Sequence, residues 1–168
     1  MFRILSLLAL LTLSASSVAR AATPSGRAFA GTNFGLAFVN NGLNAGFGIG
    51  FSGGYYFLEF PDGELAGGMK FNYSFHDHAD NLLFGGEAIV RSHHLPGAFA
   101  SFLLGLNQVN SDGGGSSASF ALGMSGGYDY MLPIPYPISL GGRMDLNLAF
   151  DDNTLVNFNV FVNGKYWF

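Results

Sequence analysis

From Val156 to the end of the chain, residues of two kinds take strict turns. One set of alternate positions reads Val156, Phe158, Val160, Val162, Gly164, Tyr166, Phe168; the other reads Asn157, Asn159, Phe161, Asn163, Lys165, Trp167. An α-helix would mix the two sets around its circumference, whereas an extended strand sorts them onto opposite faces. One face is then apolar and ends in two aromatics, and the other is mostly polar. These thirteen residues exceed the usual soluble strand and suit a tilted bilayer crossing, which takes about 9–11 residues.

The same alternation repeats upstream between turn signals. Ile138 to Phe150 places Leu140, Met144, Leu146 and Leu148 opposite Ser139, Arg143, Asp145 and Asn147. Pro133, Pro135 and Pro137 cannot join a ladder and mark a turn before it. Ala118 to Met131, Ala98 to Asn107, Leu82 to Arg91, Leu65 to Phe75, Phe47 to Phe60 and Ala28 to Phe38 complete the series. The turns between them are Asn110 to Ser117, His93 to Gly97, His76 to Asn81, Pro61-Asp62-Gly63 and Asn40-Asn41-Gly42. The sequence therefore predicts an all-β chain of eight antiparallel strands, an even number that returns both termini to one side of a closed up-and-down barrel.

Composition narrows the setting of that barrel. The chain is 49% hydrophobic and only 11% charged, against about 25% charged in soluble domains. No run beyond the N-terminus is long and apolar enough for a transmembrane helix. At the N-terminus, Met1-Phe2-Arg3, the apolar Ile4 to Leu13 and the small-residue Ser14 to Ala21 have the three parts of a secretory signal. Ala19-Arg20-Ala21 puts cleavage before Ala22, so residues 1–21 are expected to be removed and 22–168 to form one barrel domain. With no cysteine there is neither a lipoprotein anchor nor a disulfide or thiolate metal site. Of seven basic residues, all but Arg3 and Arg20 lie beyond the signal, against eleven acidic ones, so no nucleic-acid footprint exists.

The polar register decides which face meets lipid. It is built mainly of Gly, Ser, Asn and Ala, which suit the narrow interior of an eight-stranded barrel and would make a poor soluble surface. Aromatics collect on the other register at the ends of six of the eight strands: Tyr55/Phe57, Tyr128/Tyr130 and Tyr166/Phe168 at one rim, and Phe38, Tyr73/Phe75 and Phe150 at the other, the fourth strand, ending Val90, and the fifth being exceptions. That is the disposition of interfacial girdles. Lys70, Glu87, Arg91, Asp129, Arg143, Asp145 and Lys165 all fall on the polar register, and Glu59 beside the Pro61 turn is the exception. Those seven are expected to form a lumenal charge network, with Arg143 and Lys165 pairing to Asp145, Asp129 or Glu87.

Signal, strand number, girdles and terminal Phe168 together resemble the small eight-stranded bacterial outer-membrane β-barrels related to the OmpA transmembrane domain and OmpX. The last strand resembles their C-terminal assembly signal through Gly164, Tyr166 and Phe168. It departs from it at Asn163, where a glycine is usual, Gly164 coming one place late. The resemblance implies an outer-membrane location with both termini periplasmic, contact with membrane lipid and lipopolysaccharide, and handling by periplasmic chaperones and the barrel assembly machinery. It implies a structural, porin-like role in the cell envelope, without a cofactor.

Other functions find thinner support in the residues. His76, Asp77, His78 and Asp80 share one outward loop and have the types for a divalent metal, but such a pattern arises readily in a polar loop, and no metal site is expected. His93 and His94, at a periplasmic turn, are expected to be solvated. The main rival is a lipid A-modifying acyltransferase or deacylase, for which His76 or His78 with Asp77, Asp80, Ser111 or Ser116 would supply residue types. The chain lacks the His-Ser-Asn stretch of the deacylases, and no catalytic residue is assigned. A small surface-binding barrel would use the Gly/Ser loop at 110–117, although the outward loops are short. Inward Phe29, Tyr56, Phe99, Phe161 and Trp167 should fill the lumen, with Gly48, Gly50 and Gly123 making room, so no open pore is expected.

Overall fold

The computed structural model of the chain describes residues 28–40, 45–113, 115–150 and 154–168. The signal segment 1–21, Arg27, the Asn41-Gly42 turn and residues 151–153 lie outside the described residues. Among the described residues the regular structure is entirely β: β1 (Ala28–Val39), β2 (Gly46–Phe60), β3 (Gly63–Phe75), β4 (Ala79–Ser92), β5 (Ala98–Ser111), β6 (Ser116–Met131), β7 (Ile138–Phe150) and β8 (Leu155–Trp167). Each strand pairs antiparallel with the next, and β8 returns to β1 from Phe29↔Trp167 to Val39↔Asn157, closing the barrel. Phe168 N donates to Ala28 O at 2.9 Å, so both described ends meet at one rim.

The strands run further than their apolar residues. β3 begins at Gly63, two places before the expected Leu65, because Pro61-Asp62 alone closes the Phe60↔Gly63 hairpin. β4 begins at Ala79, and β5 and β6 continue to Ser111 and from Ser116, pairing Ala79↔Ser111 and Asn110↔Ser116. The polar loops expected at 76–81 and 110–117 are thereby shortened. Ladder bonds join backbone groups, so strands continue through Asp80, Asn81 and Gln108 to Asn110 once side chains no longer need to be apolar.

A bulge corrects the reading of Glu59. Tyr56 pairs with Ala66, but Leu58 pairs with Leu65, leaving Phe57 as the extra residue. Phe57 and Leu58 both point outward and are exposed. Parity then inverts: Glu59 pairs with Glu64, which shares the inward register of Ala66 and Lys70. Glu59 therefore belongs to the lumenal register at the rim, not to the lipid-facing one.

Neighbouring residues settle the orientation of the two faces. Met69 is 68% exposed and Lys70 2%; Met144 is 58% exposed and Arg143 2%. The barrel is turned inside out relative to a soluble one, with Phe34, Leu36, Phe51, Leu104 and Val162 among its exposed outer residues. An apolar surface continuous around a cylinder is far larger than a soluble monomer displays, and it calls for a hydrocarbon surround. Ring pairs mark its two borders, Tyr166–Phe168 at 4.9 Å at the terminal rim and Tyr73–Phe75 at 4.7 Å at the other.

Inside, large and small residues interlock. Phe29, Tyr56, Phe99, Phe161 and Trp167 are all buried. A Cβ on Gly48 would lie 2.7 Å from the Phe161 ring, so this glycine provides the space the ring occupies. Gly97 turns the chain between β4 and β5 with φ of 93°, a conformation that excludes ordinary side chains.

Because Leu104 sits mid-strand on the outer face, Leu104→Arg is expected to destabilise the barrel by about 2–4 kcal/mol. Equilibrium urea unfolding in phospholipid vesicles measures this, and an unchanged midpoint would argue against hydrocarbon around β5.

Candidate functional site

The alternation of β3 to β8 delivers four basic and three acidic side chains to one interior. Lys70 comes from β3, Glu87 and Arg91 from β4, Asp129 from β6, Arg143 and Asp145 from β7, and Lys165 from β8. All seven are buried in the lumen. Inward positions on neighbouring strands lie within side-chain reach across so narrow a barrel, and the charges gather into two clusters.

The central cluster is organised by Arg143. Its Nε donates to Asp145 Oδ1 at 2.6 Å, and its Nη2 donates to Glu87 Oε1, to Ser125 Oγ at 2.8 Å and to Ser101 Oγ at 3.3 Å. Ser101 in turn donates to Glu87 Oε1 at 2.6 Å. Lys70 Nζ lies 2.6 Å from the other oxygen of Asp145, and Asn72 Nδ2 donates to that oxygen at 3.4 Å. Two cations thus face two carboxylates, and two hydroxyls and an amide add hydrogen bonds to atoms already in the ion pairs, leaving Glu87 Oε2 buried without a hydrogen bond.

The second cluster lies nearer the terminal rim and is built on Asp129. Arg91 Nη2 and Lys165 Nζ both reach Asp129 Oδ2, at 3.0 and 2.7 Å, while Asn163 Nδ2 donates to Oδ1 at 2.6 Å. Two cations share one carboxylate here, and aromatic faces take part of the excess positive charge. Arg91 Cζ stands 4.4 Å from the Trp167 ring centroid and 5.2 Å from Tyr56; Lys165 Nζ stands 4.2 Å from Phe99 and 5.3 Å from Phe29. Those rings pack on one another, Phe29–Trp167 at 5.4 Å and Tyr56–Trp167 at 6.0 Å, with Ala66, Ile89 and Met131 around them. Trp167 Nε1 is fixed by a 3.0 Å bond to Ser139 Oγ. The result is a packed plug across the terminal end of the lumen.

Sequence reasoning paired these charges loosely and missed the neutral members. Ser101, Ser125, Asn72 and Asn163 all stand on the inward parity of their strands, and that parity was the signal available. Glu64 falls between the expected Pro61-Asp62-Gly63 turn and the expected strand from Leu65, although it shares the parity of Lys70 and pairs across the ladder with Arg91.

The residue types proposed for catalysis or metal binding have other engagements. Asp80 accepts a 2.6 Å bond from the Tyr73 hydroxyl, and Ser116 Oγ accepts from Gln108 Nε2 at 3.3 Å. Among the described residues, no group of three or more His, Asp or Glu side chains is placed to hold a metal ion. At the opposite end, His94 is not merely solvated: its Nε2 lies 2.9 Å from Asp62 Oδ1, while His93 N donates to Asp62 O at 3.0 Å, clasping two turns together.

No protein-family model matches the sequence, and no curated protein is similar to it in sequence. Solved structures do share its architecture. Neisserial surface protein A superimposes with a TM-score of 0.61 at 18% identity, covering 84% of this chain and 96% of that one. Ail, the attachment invasion locus protein of Yersinia pestis, gives 0.54 at 15% identity over 85% of this chain and 99% of its own. The outer membrane enzyme PagL gives 0.56 at 13% identity over 79% and 97%. The chain has the fold of the small eight-stranded outer-membrane barrels.

Removing one partner from a buried pair strands the other charges, which costs about 3–5 kcal/mol. Arg143→Met leaves Glu87 with only Ser101 and Asp145 with only Lys70 and Asn72, so a loss of that size is expected in urea unfolding of the folded barrel. Unchanged stability would show that the central cluster contributes nothing to holding the strands together.

Proposed function

We propose that this protein is an integral outer-membrane barrel with a structural role, closed to solutes, whose two termini face the periplasm. The plug of Phe29, Tyr56, Phe99 and Trp167, cross-tied by Arg91 and Lys165, is the observation that carries this reading. It fills the lumen at the terminal rim, and the Arg143 cluster fills the middle. A solute crossing the barrel would have to separate buried ion pairs and displace stacked rings together. The outer surface has the apolar band and girdles of a bilayer protein, with outer-membrane lipid and lipopolysaccharide as its surroundings. At the rim opposite the termini, residues 76–78 alone separate β3 from β4, which suits a barrel whose surface lies close to the headgroups.

Insertion by the barrel assembly machinery, after passage with periplasmic chaperones, would use the last strand. Tyr166 and Phe168 stand outward and exposed at its end, and Gly164 lies on the same face. A cleaved signal at residues 1–21, leaving a barrel domain of 22–168, accounts for the route to the envelope.

Purified protein in a planar bilayer is expected to give no steady conductance, and a large stable open state would overturn the closed reading. Trp167→Ala, which removes the ring beneath Arg91, is the variant most expected to admit transient small-ion current. The rival function has its own test. Lipid A from cells with and without the protein should have the same mass spectrum; a gained or lost acyl chain would identify an acyltransferase or deacylase instead.

A further inference from the structure

The geometry points to a resident water molecule in the half of the lumen away from the plug, held by Asn72, Asn147 and Asn157. Above the Arg143 cluster the interior changes character, and asparagines from β3, β4, β7 and β8 face one another across the glycine-lined wall of β2. A cavity of about 10 Å3 lies between Asn72, Asn81, Asn147, Asn157 and their neighbours. That is room for about one water, and a cavity of this size lined mainly by amides, with Leu83 and Phe161 beside them, is where buried water resides.

The side chains around it leave specific atoms unbonded. Asn72 turns its Nδ2 to Asp145 at 3.4 Å, and Asn157 turns its Nδ2 to Asn107 Oδ1 at 3.5 Å. Each amide is thereby oriented, and its Oδ1 is left buried with no hydrogen-bond partner, as are both polar atoms of Asn147. An unbonded buried amide atom costs about 1–3 kcal/mol, so several beside one cavity call for a shared partner. Water supplies the missing complement, donating to Asn72 Oδ1 and Asn157 Oδ1 and accepting from Asn147 Nδ2. Three bonds are the usual number for an internal water. A monovalent cation would satisfy the oxygens but not the Asn147 amide donor.

Through Asn72 this water would become the outer support of Asp145, extending the Lys70–Asp145–Arg143 cluster toward the far rim. The lumen would then hold one hydrated asparagine pocket beside the Leu83, Leu103, Ala121 and Ala149 cluster, with the aromatic plug at the other end.

Magnetisation transfer from water to side-chain amides, recorded on 15N-labelled protein folded in micelles, tests the site. A Ser74→Ala background removes the nearest exchangeable hydroxyl. A cross-peak at the water frequency is expected on the Asn147 side-chain amide, and Asn147→Leu should abolish the corresponding peak at Asn72 while the gel migration of the folded barrel is kept. Absence of the Asn147 cross-peak in protein that retains Asn147 would overturn the site, whether or not the leucine variant folds. Amide shifts that appear in sodium chloride but not in choline chloride would assign a cation and overturn the water as well.

Discussion

Hydrocarbon offers no partner for a peptide group, and that one deficit governs the whole molecule. Every strand bond must be made to another strand, so the sheet must close on itself. The β1–β8 seam from Phe29↔Trp167 to Val39↔Asn157 is what closes it. Closure in turn forces one register to face lipid along every strand, and with a side-chain period of two the other register has nowhere to go but inward. An exposed Met69 beside a buried Lys70 is that rule acting on adjacent residues.

Closure creates the second problem, an interior too narrow for bulk water and yet lined by the polar register. Bringing Lys70, Arg143, Glu87 and Asp145 together lets each charge answer another, which is the condition for keeping ions out of water. Such pairs add little net stability over apolar packing, but they make register errors expensive. A one-residue slip of β7 would turn Arg143 and Asp145 to lipid and leave Glu87 and Lys70 unpaired at the same moment. We propose that the central cluster in this way acts as a register lock for the ladder around it.

Most of the strand pattern was legible because period-2 alternation is a local signal written by the lipid boundary itself. The final strand and β7 could be read to within a residue or so, since Phe158 to Phe168 and Leu140 to Phe150 alternate without interruption. Where the chain leaves the apolar band, the lipid no longer writes the pattern, and Asp80-Asn81 and Gln108 to Asn110 read as loops although they are strand. Glu59 failed for another reason. A bulge is a choice made by two strands together, and nothing in Phe57-Leu58-Glu59 alone shows that Leu58 pairs with Leu65. The pairing of charges was hidden likewise: parity placed Lys70 inside, but only closure of the cylinder brings β3 against β7.

The two ends of the lumen are built on different chemistry, and the difference follows from which atoms each can satisfy. At the terminal rim, rings supply bulk and a negative face, so Arg91 and Lys165 can be held by one carboxylate with Trp167 and Phe99 beside them. At the far end amides stand beside a buried apolar cluster of Leu83, Leu103, Ala121 and Ala149, and each amide carries donors and an acceptor and is too short to meet all its partners across the barrel. Rings exclude water, whereas amides left short of partners retain it. A barrel dry at one end and polar at the other would offer no continuous wet path, as the proposed closed reading requires. On the proposed closed reading the barrier is the packing of Phe29, Tyr56 and Trp167 at the terminal rim, so solutes would be held back there without any cover at the opposite rim.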